Sequence, residues 1–199
     1  MIEFISGLFA EKTPTHVVVD VNGLGYLVHI SLNTFSDINE LDKGRLLTQY
    51  NVSVDVRSGE SRHQLFGFST ESERQLFKQL ITVSGVSSGI AHTILSAFKA
   101  DELRSILMNG DSKTLTTVKG VGPKLAQKVI GELREKIVKS DIAGDIVAGG
   151  GNSLRQEALS ALTALGFDRA GAARVISQII KDDAPYTVEE LIKKALKQL

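Results

Sequence analysis

Two short stretches of the chain carry the residue types that could hold an anion. The first is Thr82-Val83-Ser84-Gly85-Val86, followed by Ser87 and Gly89. The second is Thr117-Val118-Lys119-Gly120-Val121, followed by Gly122, Lys124 and Lys128, and it repeats the first at an offset of 35 residues. The likeness continues through Ile90 and Leu125, Ala91 and Ala126, Ile94 and Val129, and Leu95 and Ile130, so each copy reads as helix, glycine hairpin, helix. A glycine in such a turn reverses the chain with positive φ and lets backbone approach a ligand, while the next helix points its first unpaired N–H groups outward. Phosphate oxygens accept from those groups, and the helix dipole favours their charge. In the second copy Pro123 occupies an early helical position where its missing N–H costs little. Lys124 and Lys128 lie one turn apart beside it, with Lys119 just before. Such contacts go to backbone phosphate and are independent of base sequence. Gly85 and Gly120 could instead be plain helix C-caps; two copies at one spacing, in the one net-basic stretch of the chain, favour nucleic-acid binding through Gly85, Val86, Ser87, Gly89, Lys119, Gly120, Val121, Gly122, Lys124 and Lys128.

The charge distribution agrees. The 199 residues hold 23 Lys plus Arg and 23 Asp plus Glu, a formal net charge of zero. Residues 1–70 carry 5 basic and 8 acidic side chains, residues 71–140 carry 11 and 7, and residues 141–199 carry 7 and 8. The zero is therefore a sum of unlike parts, with the positive excess around the hairpins. The absence of Cys excludes a disulfide scaffold, a thiolate zinc site and a Cys nucleophile, and suits a reducing compartment. Neither a signal peptide nor a membrane-spanning run is expected, which points to the cytoplasm.

The elements that must position the hairpins follow from periodicity. Ile2–Ala10, Thr15–Val21, Tyr26–Ile30, Leu46–Val56 and His63–Phe68 read as five short strands, with Asn22-Gly23 as a hairpin turn. Five antiparallel strands in under 70 residues favour a small closed barrel such as an OB-fold. At Thr70 the period changes to helical, and Thr70 with Glu73 forms a capping box. Helical pattern broken into about five pieces continues to Lys139. Residues 140–152, with four glycines, read as a flexible linker. Amphipathic stretches starting at Ser153, Asp168 and Thr187 then make a three-helix unit. The domain boundaries are thus 1–69, 70–139, 140–152 and 153–199.

Other chemistries fit poorly. His16, His29, His63 and His92 are scattered, without metal-ligand spacing, so neither a metal nor a cofactor is expected. Gly120-Val121-Gly122-Pro123-Lys124 lacks Walker A spacing. A helix-hairpin-helix nuclease or glycosylase is the alternative, but its carboxylates would have to be Asp141 and Asp145, in the glycine-rich segment, where a site is hard to preorganise.

The chain also resembles a known family. The opening Met1-Ile2, Asn22-Gly23-Leu24-Gly25-Tyr26, Leu65-Phe66-Gly67-Phe68 running into Glu73-Arg74-Gln75-Leu76-Phe77, both Gly-Val hairpins, the glycine-rich linker, and Glu157-Ala158 with Ala164-Leu165-Gly166-Phe167 are together similar to RuvA, the Holliday-junction-binding subunits of the bacterial RuvAB branch-migration complex. The resemblance covers the whole chain. It implies a multidomain fold, β then α: a tetramer-forming OB-fold barrel, a tandem helix-hairpin-helix domain, and a C-terminal three-helix, UBA-like domain that docks on the RuvB ATPase. It further implies four-way junction DNA and RuvB as partners, with the RuvC resolvase as a further one, a homotetramer or an octamer on DNA, and a non-catalytic role in recombination and repair. Two departures stand out. Ser87 and Gly89 occupy places where the first hairpin of the family carries glycine and a basic residue. The acidic pin expected between the last two barrel strands falls on a longer turn, where Glu60 is the better candidate and Asp55 the other. Partner contacts of the last unit are expected at Leu162, Leu165, Phe167 and Leu196.

Overall fold

A computed structural model describes the backbone of residues 2–54, 59–145, 150–180 and 186–199. Five strands, β1 (Phe4–Lys12), β2 (His16–Val21), β3 (Leu24–Ile30), β4 (Lys43–Val54) and β5 (Ser61–Phe68), close a barrel in the order β1-β2-β3-β5-β4. All pairings are antiparallel except β3 with β5, where His29 faces Phe66. The Asn22-Gly23 turn has both residues at positive φ, 54° and 88°, the geometry whose twist matches the flanking strands. Ile5, Phe9, Val17, Val19, Val28, Ile30 and Leu46 alternate inward and fill the barrel.

A short helix, α1 (Leu32–Ile38), sits between β3 and β4, where periodicity predicts none. Two turns are too short to show a helical period; the local signal is Ser31, whose hydroxyl accepts from Thr34 N at 3.0 Å as an N-cap. Ile38 and Phe35 pack on the barrel core.

The helical part follows directly: α2 (Glu71–Leu80), α3 (Ser88–Ala97), α4 (Ala100–Asn109), α5 (Ser112–Leu115) and α6 (Pro123–Asp145). No gap separates it from the barrel, for residues Met1–Ile137 form one compact unit. The reason lies in β5, whose alternation sends Leu65 into the barrel core while Phe66 and Phe68 enter the helical core against Phe77, at ring distances of 4.8 and 5.1 Å. The boundary expected at residue 69 is a change of secondary structure inside shared packing.

Thr70 caps α2 as expected, accepting from Glu73 N at 3.3 Å. The Glu73 carboxylate goes elsewhere than to the Thr70 N–H: buried, it accepts from the hydroxyls of Ser31 and Thr34, the latter at 2.7 Å. Half of the capping box has been diverted into a tie between α2 and α1.

The second unit, Val138–Leu199, contains α7 (Gly150–Ala164), α8 (Arg169–Ile180) and α9 (Val188–Ala195) around Leu159, Leu162, Ile176, Ile179 and Leu191. Thr187 and Glu190 complete a reciprocal capping box, with Thr187 N donating to Glu190 Oε2 at 3.0 Å. Asp168 accepts from Gly171 N at 2.8 Å. The helix expected from Ser153 begins three residues earlier, at Gly150. At the other side α6 runs to Asp145, so helical backbone covers much of the 140–152 segment, including Asp141 and Asp145. Extending an existing helix adds one bond per residue, whereas an interior glycine costs about 1 kcal/mol; glycine content is a weak reason to end α6 at residue 139. Residues 146–149 lie outside the described residues.

Candidate nucleic-acid interface

The two hairpins join α2 to α3 and α5 to α6, and their backbones match bond for bond. Thr82 N donates to Gln79 O and Thr117 N to Thr114 O; Val86 N donates to Val83 O and Val121 N to Val118 O, both at 3.0 Å; Ala91 N donates to Ser87 O and Ala126 N to Gly122 O, both at 2.9 Å. Gly85 and Gly120 have φ of 96° and 92°, a region that a side chain would enter only under strain. The packing is reciprocal as well. The space above Gly85 is taken by Leu125 and that above Gly120 by Ile90, and these two are themselves repeat equivalents. The copies thus interlock about a local pseudo-twofold axis, each helix closing over the other's turn.

This geometry sorts the expected DNA-binding residues. Gly85, Ser87, Gly89, Lys119, Gly120, Gly122, Lys124 and Lys128 are all exposed. Val86 and Val121 are buried and spend their N–H groups on Val83 and Val118, so neither side chain nor amide is available to a ligand. Their role is to anchor the turn. Val83 and Val118, also buried, form the inner half of the same anchor.

The helix starts differ. Ser87 Oγ accepts from Ile90 N at 3.2 Å, so α3 partly caps itself. Gly122 has no side chain to cap α6, and Lys119, Lys124 and Lys128, just before and within its first turns, are all exposed. The second hairpin therefore carries more positive charge than the first and lacks its side-chain cap.

The barrel fixes the first hairpin through contacts the sequence did not signal. Asn33 Nδ2 on α1 donates to the carbonyls of Leu95 and Phe98 at the end of α3, at 2.6 and 3.0 Å. Arg74 pairs with Glu3 at 3.0 Å and with Glu71 at 2.7 Å. Burial pushes the Glu73 carboxyl above its usual range, against the lowering effect of the Ser31 and Thr34 hydroxyls. Across the repeat, Lys136 Nζ on α6 donates to Thr82 Oγ1 at 2.8 Å. His29 and His92 flank Phe66 and are both pushed below the usual His value, chiefly by burial.

At the pin candidate, β4 and β5 stay paired out to Val54 and Ser61, and Glu60 is exposed just before β5. Asp55 lies outside the described residues. In the C-terminal unit Leu165 is 61% exposed and Leu196 41%, Phe167 is half-buried against the core, and Leu162 is fully buried. Leu162 is therefore a core residue and not a docking residue. Gly166, at φ 94°, ends α7 with Phe167 N bonded back to Leu162 O at 3.1 Å, and this turn is what leaves Leu165 outside. Among the described residues no group of three His, Asp or Glu side chains could hold a metal ion, and no helix is long and apolar enough to cross a membrane.

Comparison with known proteins agrees with this architecture. Residues 1–67 match the family description "RuvA N terminal domain", residues 77–135 "SAM-like Helix-hairpin-helix tandem", and residues 153–199 "RuvA, C-terminal domain". The chain is 40% identical to the Holliday junction branch migration complex subunit RuvA of Christiangramia forsetii and 40% identical to that of Flavobacterium psychrophilum, in both cases over all of each chain. It is 40% identical to the Bacteroides fragilis protein of the same description, again over the full length of both. An OB-fold barrel, a tandem helix-hairpin-helix domain and the C-terminal domain, in that order and at that identity, make this chain a member of the RuvA family.

Proposed function

We propose that this protein binds four-way DNA junctions by shape, without reading base sequence, and does so as a non-catalytic subunit of a branch-migration machine. The observation that carries this reading is the interlocked pair of hairpins, with its exposed glycines and three exposed lysines. A grip on phosphates can slide along DNA, whereas base contacts worth about 1–3 kcal/mol each would hold one register. In this reading four subunits surround the junction, joined through their barrels. Phe4, Leu8, Leu24 and Leu27 leave large apolar side chains exposed on the barrel, in keeping with such an interface. Glu60 at the β4–β5 tip would face the crossover and repel phosphates as strands part. The C-terminal unit would hold the RuvB ATPase in trans through Leu165, Phe167 and Leu196, and the assembly would serve recombination and repair in the cytoplasm, with RuvC resolvase and a second tetramer as further partners.

The test is a binding series with the full chain, using a four-way junction and a linear duplex of the same sequence over a range of salt. Preference for the junction, with affinity falling steeply as salt rises, is the expected result. Equal affinity for both DNAs would overturn the junction reading, and cleavage of labelled DNA would overturn the non-catalytic one.

A further inference from the structure

The first hairpin has no cation of its own. The repeat equivalent of Lys124 is Gly89, and Ser84 stands where the second copy has Lys119. Yet this hairpin is the one held against the barrel, and across from it lies a polar cleft. Its far wall is the face of the β4–β5 ribbon on which Ser53 pairs with Arg62 and Asn51 with Gln64, continuing outward from Phe66. Its near wall is Ser87, Ser88 and Gly89 at the start of α3. The alternation of β5 makes this unavoidable: with Phe66 locked into the helical core, Gln64 and Arg62 must project on the hairpin's side.

We propose that Arg62 of β5 supplies the phosphate-binding cation that the first hairpin lacks, so that barrel ribbon and α3 start grip one DNA strand between them. The inference rests on the DNA-binding reading above and assigns a barrel residue to it. Arg62 is exposed, and among the described residues its guanidinium has no carboxylate partner. The remaining titratable groups of the cleft are His29 and His92, which burial keeps neutral near pH 7, so among the described residues Arg62 is the one charge on its walls. A guanidinium suits the task because its planar fork can bond two phosphate oxygens while the Ser88 and Gly89 amides approach from the other side.

The experiment measures affinity of the full chain for a four-way junction as a function of NaCl, in wild type, Arg62→Ala, Lys124→Ala, and Arg62→Ala combined with Gly89→Lys. Gly89 has ordinary φ, and a Cβ there meets nothing nearer than Ser87 Oγ at 3.8 Å, so a lysine fits. Arg62→Ala should weaken binding about three- to tenfold and flatten the log–log salt slope by about 0.9 for each phosphate it no longer neutralises. Placing lysine at 89 should restore both slope and affinity. If Lys124→Ala weakens binding while Arg62→Ala leaves affinity and slope unchanged, the role of Arg62 is refuted and the hairpin reading stands. If Arg62→Ala weakens binding but Gly89→Lys rescues nothing, the cation acts elsewhere than at the first hairpin and the proposal is again refuted. If wild type has no affinity for the junction, both readings fall together.

Discussion

The two hairpins are copies in backbone and opposites in equipment. Their turn hydrogen bonds have equal lengths at the valine and alanine positions, and each glycine is roofed by the other copy's apolar side chain. The second hairpin carries three lysines and an uncapped helix start. The first carries a serine cap, no lysine, and two ties to α1, one from α3 through Asn33 and one from α2 through Glu73. The two copies of the motif have diverged: one carries the lysines, while the other is held in place by the barrel and faces the barrel's polar residues across a cleft. Backbone geometry is common to both because the pseudo-twofold packing constrains both turns at once; side chains at the rim are under no such constraint.

The largest effect that would break this contrast is removal of the second hairpin's charge. Lys119→Ala, Lys124→Ala and Lys128→Ala together are expected to lower junction affinity about 100-fold and flatten the salt slope by about 2.7, measured by anisotropy titration in rising NaCl. A small effect would mean that the first hairpin bears the load. Next comes the tie to the barrel. Glu73→Ala leaves two buried hydroxyls short of a partner and should cost about 2 kcal/mol in urea unfolding, with junction affinity reduced because the first hairpin is less well fixed.

The pH dependence of that tie is a finer test. The folded-state pKa of Glu73 is raised by burial, so the native state holds its proton more tightly than the unfolded one. The stability this contributes is present at low pH and is lost as pH climbs through the folded value. Glu73→Gln, which cannot ionise, should therefore gain stability relative to wild type between acidic and neutral pH; a difference independent of pH would show that the carboxyl titrates normally. The smallest effect is expected from Ser87→Gly, which gives the first hairpin the second one's residue. Removing the cap should cost a few tenths of a kcal/mol by thermal unfolding, while the freed Ile90 amide leaves junction affinity equal or slightly tighter. A large drop in affinity would mean that the serine itself touches DNA.

Much of the site is legible in the chain because it rests on local chemistry. The glycines at the hairpin turns, the Asn22-Gly23 turn, and the caps at Thr70, Asp168 and Thr187 each depend on a few neighbouring residues, and each stands where the pattern places it. What stays hidden depends on distant residues meeting. Glu73 reads as half of a capping box because the hydroxyls that claim it, at Ser31 and Thr34, are 42 and 39 positions away. Leu162 reads as available to a partner because its helical face is shared with Leu165, and only the turn at Gly166 separates a buried position from an exposed one.

By itself, then, the order of residues determined the element types, the repeat, the segregation of charge and the identity of the glycine turns, since these follow from backbone sterics and from spacing within one element. Tertiary structure alone decided which face of each element meets another: that Val86 and Val121 face inward, that β5 is shared between two cores, and that Arg62 stands opposite the hairpin lacking a lysine. The physical reason is that burial and electrostatic pairing are properties of contacts between elements, and a strand's period of two names two faces without saying which neighbour each will meet.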